Sequence, residues 1–173
     1  MLRYFKRFGK DEEGAATIEF VIVFPALIAL LFSNIEAGWL MTRSMMLERG
    51  VSIAARDLKL GYDHALTYEG LRAQICEHAS ILANCRQDLA LQVVKMDIAS
   101  SYPQDVPECV DRTGPINPKL GPVPGGREEV MFVRACMVID PIMPGIGLGL
   151  QLPKDATGGV QLVTYTAFMN EPA

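Results

Sequence analysis

Between Phe20 and Phe32 the chain runs for 13 residues without a charge, and one carboxylate, Glu19, stands at the head of that run. Four basic residues (Arg3, Lys6, Arg7, Lys10) precede it, and only Ser33 and Asn34 interrupt the apolar character before a second acid, Glu36. The 25 residues from Thr17 to Met41 make about 37 Å of helix at ~1.5 Å per residue. That exceeds the ~30 Å hydrocarbon core of a bilayer, so the segment is expected to span a membrane. An ionised carboxylate inside such a span costs roughly 2.5–3.5 kcal/mol at a helix centre on insertion scales. Glu19 therefore calls for a partner that receives its charge.

A cleaved secretory signal is the competing reading of the same residues. Ala37-Gly38 imitate the small-residue cleavage site that follows an apolar stretch, but Glu36 and Trp39 flank it awkwardly. Retention in the membrane fits better. The basic leader, set against Arg43, Glu48 and Arg49 on the other flank, places the N-terminus in the cytoplasm and the rest of the chain outside it.

The 173 residues allow one anchored domain of modest size. Without residues 1–14 the chain keeps 12 Lys and Arg against 17 Asp and Glu, a net charge of −5. A mildly acidic surface with no basic cluster beyond the leader excludes nucleic acid as a partner. All four cysteines, Cys76, Cys85, Cys109 and Cys136, follow the apolar segment. In an oxidising compartment they are expected to form disulfides, with three pairings open. Cys76–Cys85 with Cys109–Cys136 is preferred, because it closes one short loop and staples a Pro/Gly-rich one.

Periodicity separates 15–58 (membrane-spanning and extended helix) from 59–173 (an extracytoplasmic α+β domain), with the basic stretch 1–14 preceding both. Beyond the bilayer Met41, Met45, Leu47, Val51, Ala54, Ala55 and Leu58 form an apolar stripe at three- and four-residue spacing. Pro25 is expected to remove one backbone hydrogen bond and kink the helix. A second helix is predicted over 67–83. Leu89, Leu91 and Val93 alternate, then Val94, Met96 and Ile98 alternate in the opposite phase, which predicts a β-bulge between Val93 and Val94. Residues 102–127, with six prolines, read as loop. Val130–Ile139 is almost wholly apolar and reads as a central strand. A Pro/Gly-rich loop from Asp140 to Gly159 precedes a last strand, Val160–Met169, with Val160, Leu162, Thr164, Thr166 and Phe168 on one side. The fold class is α+β: a long N-terminal helix packed on a small antiparallel sheet, with a second helix.

Chemistry is sparse. Gly145-Ile146-Gly147-Leu148-Gly149 lacks the spacing of a dinucleotide fingerprint and reads as a flexible apolar loop, or as a contact surface for a neighbouring subunit. Cys76 and His78 would point about 200° apart on a helix, so they cannot chelate together. No paired zinc-ligand unit and no Ser-His-Asp or Cys-His set emerges, so neither a metal, a cofactor nor an enzyme activity is expected. Glu36, three residues before Trp39, suits either an acid at the outer headgroup level or a role in helix–helix pairing.

The order of parts resembles the type IV pilin superfamily: basic leader, Gly14, short residues, Glu19-Phe20, apolar helix. The continuation Glu19-Phe20-Val21-Ile22-Val23-Phe24-Pro25-Ala26-Leu27, then Ile35-Glu36-Ala37-Gly38-Trp39 and Ala54-Ala55-Arg56, is similar to the TadE-like minor pilins (pseudopilins) of the Tad, or Flp, tight-adherence pilus. The resemblance covers about the first third of the chain. It implies cleavage by a prepilin peptidase between Gly14 and Ala15, which puts Glu19 at position five of the mature chain. It further implies pairing of Glu19 with the free α-amine of Ala15 on another subunit, a contact that would fix axial register beside Phe20. The implied partners are the peptidase, other pilin and minor pilin subunits, an inner-membrane assembly platform and membrane lipid. The alternative is an uncleaved bitopic membrane protein with a periplasmic scaffold or binding domain.

Overall fold

The structure, a computed structural model, describes residues 15–60, 67–96 and 128–170. One helix dominates it. Helix α1 covers Ala15–Lys59, 45 residues, and stays helical through Pro25. At ~1.5 Å per residue it is about 67 Å long, too long for the small head to cover. Only its C-terminal half is buried. There Glu36, Leu40, Leu47, Val51, Ala54 and Leu58 recur at steps of three, four or seven residues, and form the stripe that meets the rest of the protein. Met41 and Met45, expected on that stripe, are each 65% exposed. The reason is angular. Met41 lies about 100° round the helix from Leu40, and Met45 lies nearly opposite Leu47.

Helix α2, Tyr68–His78, packs across α1. Thr67 caps it, its hydroxyl accepting the Gly70 amide at 3.0 Å. The close crossing depends on Gly50, where an added Cβ would lie 2.6 Å from the Ile75 carbonyl oxygen. Leu71, Ile75 and Ala79 fill the seam. The predicted helix over 67–83 is shorter than expected. The chain leaves the helix at Ala79 and re-enters a single turn, α3 (Cys85–Asp88), through Asn84 in the left-handed region at φ 54°. The Cys76–Cys85 disulfide spans this reversal with its Cα atoms 5.6 Å apart, a separation that a continuing helix would not give.

Three strands follow in the antiparallel order β1-β2-β3: β1 Leu89–Met96, β2 Val130–Ile139 and β3 Val160–Met169. The expected bulge between Val93 and Val94 is absent. Pairing runs one-to-one from Leu89 with Met137 to Met96 with Val130. Both faces of the sheet carry apolar residues: Leu89, Leu91 and Val93 point to the core, while Val94 and Met96 belong to the opposite face. Lys95 then ends the core-facing row by pairing with Glu129 at the surface. The predicted Ile98 and the 102–127 loop lie outside the described residues.

β2 is central, as its composition requires, and is buried along nearly its whole length on both faces. Its Met131, Val133, Ala135, Met137 and Ile139 share one face with the β1 row and with Val160, Leu162, Thr164, Thr166 and Phe168 of β3. That face receives α1 and α2. A fourth short helix, α4 (Leu148–Gln151), lies in the β2–β3 connection and packs on α1.

Candidate assembly interface

The N-terminal half of α1 is a bare apolar rod. Every residue from Ala16 to Leu27 is exposed, and none of its most hydrophobic stretch is buried. By length and composition this helix can cross a membrane. Phe20 stacks on Phe24 with ring centroids 4.9 Å apart, so both rings share one side of the rod. Glu19 is exposed beside them and has no ion-pair partner among the described residues. Ala15 is the first helical residue, and Gly14 lies outside the described residues.

Polar side chains further along the rod are quenched within the helix itself. Ser33 Oγ donates to the Ala29 carbonyl at 2.6 Å, Asn34 Nδ2 to Leu30 at 2.8 Å and Thr42 Oγ1 to Gly38 at 2.8 Å. Bonds of this i to i−4 kind allow an apolar helix to carry hydroxyl and amide groups without leaving them unpaired.

Glu36 has a specific place. It is 1% exposed, and its two oxygens accept the backbone amides of Ile142 at 3.0 Å and Met143 at 2.9 Å. One helical turn earlier the Ser33 hydroxyl accepts the Leu148 amide at 3.0 Å. Together these acceptors hold the loop 140–152 flat along α1. Gly147 makes the approach possible: it sits at φ +57°, and an added Cβ would lie 2.3 Å from Ser33 Oγ and 2.8 Å from the Ala29 carbonyl oxygen. The loop's outer end is tied by Arg43, whose guanidinium donates to the Asp140 carbonyl at 3.0 Å and lies over the Trp39 ring, 5.1 Å from its centroid.

The sequence therefore singled out Glu36 but not what it binds. Glu19 and Glu36 are 17 residues apart on one helix, about 25 Å, and the structure does not bring them together. Ser33, Arg43 and Gly147 were not singled out as site residues. A usable signal existed, since residues 141–152 contain no charge and three glycines. The one-turn α4 begins inside the glycine-rich run that reads from sequence as a flexible loop.

Of the other candidates, Cys76 and Cys85 are bonded to each other, which removes Cys76 from metal chemistry. Cys136 is also in a disulfide, and Cys109 lies outside the described residues. Among the described residues no group of three or more His, Cys, Asp or Glu could hold a metal ion. Tyr68 titrates above its usual range, first because burial disfavours the phenolate, with the nearby Arg72 charge opposing.

Compared with known proteins, residues 14–56 match the family model described as TadE-like protein, about a quarter of the chain. No curated protein and no solved structure matches it.

Proposed function

We propose, on the premise that the chain is TadE-like across residues 14–56, that it is a minor pilin-like subunit of a Tad-type adhesive pilus. The observation that carries this reading is the division of α1. Its C-terminal half is the spine of a compact head, while its N-terminal half is an apolar rod ending in an exposed carboxylate. A lone monomer in water has no use for such a rod. In a membrane it meets lipid, and in a filament it meets the rods of other subunits.

The finer steps belong to the same proposal. A prepilin peptidase removes residues 1–14 on the cytoplasmic side, and Ala15 becomes a free α-amine, a group that ordinarily carries a positive charge at neutral pH. Glu19 of one subunit then pairs with that amine on another. The pair offsets the cost of a carboxylate in hydrocarbon and fixes the axial offset between neighbours. Inner-membrane assembly proteins supply the energy, and the head domain contributes contacts rather than catalysis.

The N-terminus of protein extracted from its native membrane tests this directly by mass spectrometry. A start at Ala15 is expected. An intact Met1 in cells with an active prepilin peptidase would instead make the chain an uncleaved bitopic protein. In a second test, Glu19→Val should insert normally but fail to assemble; wild-type pilus yield in that variant would remove the register role.

A further inference from the structure

The connection between β2 and β3 contains twelve residues, 141–152, of which Gln151 alone is polar. It is bounded by Asp140 on one side and by Lys154 and Asp155 on the other. An apolar loop of this kind ordinarily turns inward to the core. This one turns toward the rod. It lies against Ala29 and Ser33, in the stretch of α1 where Ile28, Ala29, Phe32 and Ser33 are half-buried, and it leaves Ile142, Ile146 and Leu150 exposed at 45%, 45% and 59%.

Its level along α1 is the informative quantity. A hydrocarbon core of ~30 Å takes up about 20 helical residues, so a span that begins at Ala16 ends near Glu36. The loop reaches back to Ala29, seven residues earlier and therefore about 10 Å inside that boundary. Several of its amides bond within the protein. Those of Ile142 and Met143 go to Glu36, that of Leu148 to Ser33, that of Ile146 to Met143 and that of Leu150 to Gly147. Non-helical backbone at membrane depth is tolerated where protein covers it, and here Pro141 and Gly149 are buried and Gly147 lies against Ala29 and Ser33 of α1. Polar bonds flank it: the Arg43 guanidinium donates to the Asp140 carbonyl at 3.0 Å, and the Lys154 ammonium donates to the Pro144 carbonyl at 2.7 Å.

We propose that this loop is a membrane-inserted foot, with Ile142, Ile146 and Leu150 immersed in the acyl chains of the leaflet on the head's side. The occupant of the patch is lipid, because the patch is continuous with the lipid-facing surface of α1 and lies at the same depth. The proposal rests on the reading of α1 as a membrane span. The foot sets how deep the helix sits and prevents the head from rotating freely about it.

The test uses the full chain, in which Trp39 is the single tryptophan. In a Trp39→Phe background, Ile146→Trp, Leu150→Trp, Leu27→Trp and Val163→Trp are each reconstituted at high dilution in phosphatidylcholine vesicles, with and without bromine on the acyl chains. Ile146→Trp and Leu150→Trp should lose emission to brominated chains as Leu27→Trp does, as expected of side chains about 5–10 Å below the interface. Leu27→Trp should be quenched as a marker of the span, and Val163→Trp, on the outer face of β3, should not. Quenching at Leu27 with none at 146 or 150 overturns the foot and leaves the span standing, the patch then facing water or a second copy. No quenching at Leu27 either removes the span reading itself. Quenching at Val163 as strong as at Ile146 also overturns the foot, since the whole head would then lie on lipid.

Discussion

Replacing Glu36 with Gln isolates the bond that holds the loop to the rod. The side chain keeps its size but loses its charge, and one of its two acceptors becomes a donor aimed at an amide. Of the bonds to Ile142 and Met143, one survives in weakened form and the other becomes a donor facing a donor. Hydrogen bonds to a charged acceptor contribute about 1.5–3 kcal/mol each, and an orphaned buried amide costs a similar amount. The loss is about 3 kcal/mol, limited above by the cost of undocking the loop, after which solvent satisfies both amides. Since ~1.4 kcal/mol is a factor of ten, the docked-to-undocked ratio should fall about a hundredfold. Amide hydrogen exchange in lipid nanodiscs measures this residue by residue. Ile142, Met143 and Leu148 should exchange about a hundred times faster, while β2 amides such as Val133 stay unchanged, because the loop opens locally rather than with the whole head. Unchanged exchange at Ile142 and Met143 would refute the argument, since Glu36 would then not be what fixes the loop.

Three further outcomes follow from the fold. Gly50→Val places a Cβ 2.6 Å from the Ile75 carbonyl, forces α2 away from α1, and should lower stability by about 1–3 kcal/mol in denaturant titration. Removing the Cys76–Cys85 bridge with a Cys76→Ser, Cys85→Ser double variant frees a loop of nine-residue separation, and the loop-closure relation predicts a loss of about 2.7 kcal/mol, seen as a lower denaturation midpoint. Tyr68 has a raised folded-state pKa, so its contribution is present below pH 10.0 and is lost as pH rises through the folded value. Tyr68→Phe should therefore reduce the alkaline destabilisation, as followed by circular dichroism against pH.

Much of this protein is written locally. The 13 uncharged residues from Phe20 to Phe32 determine a helix that can cross a membrane, because backbone groups in hydrocarbon must bond within their own segment. The almost wholly apolar run Val130–Ile139 likewise determines a strand buried on both faces, and the alternation in Val160–Met169 assigns which side of β3 meets the core. Where two faces were both apolar, the sequence misled. Val94 and Met96 imitated a phase shift, and only pairing with β2 in a straight register showed them to be the other side of the same strand. The helix stripe was read two residues too generously at Met41 and Met45, since composition marks apolarity but not which face a distant sheet will cover.

Glu36 shows the remaining division. Its charge near the end of an apolar span was visible from the sequence, but its partners are amides 106 and 107 residues away in a loop with no charge of its own. Backbone amides are the same at every residue, so no side-chain pattern identifies which of them will bind a carboxylate. That choice was made by the sheet, which carries β2 back along α1 and returns the loop to the level of Ser33 and Glu36. Gly50 and Gly147 belong to the same class: each glycine is legible as a letter, and each close approach it permits exists only once the chain is folded.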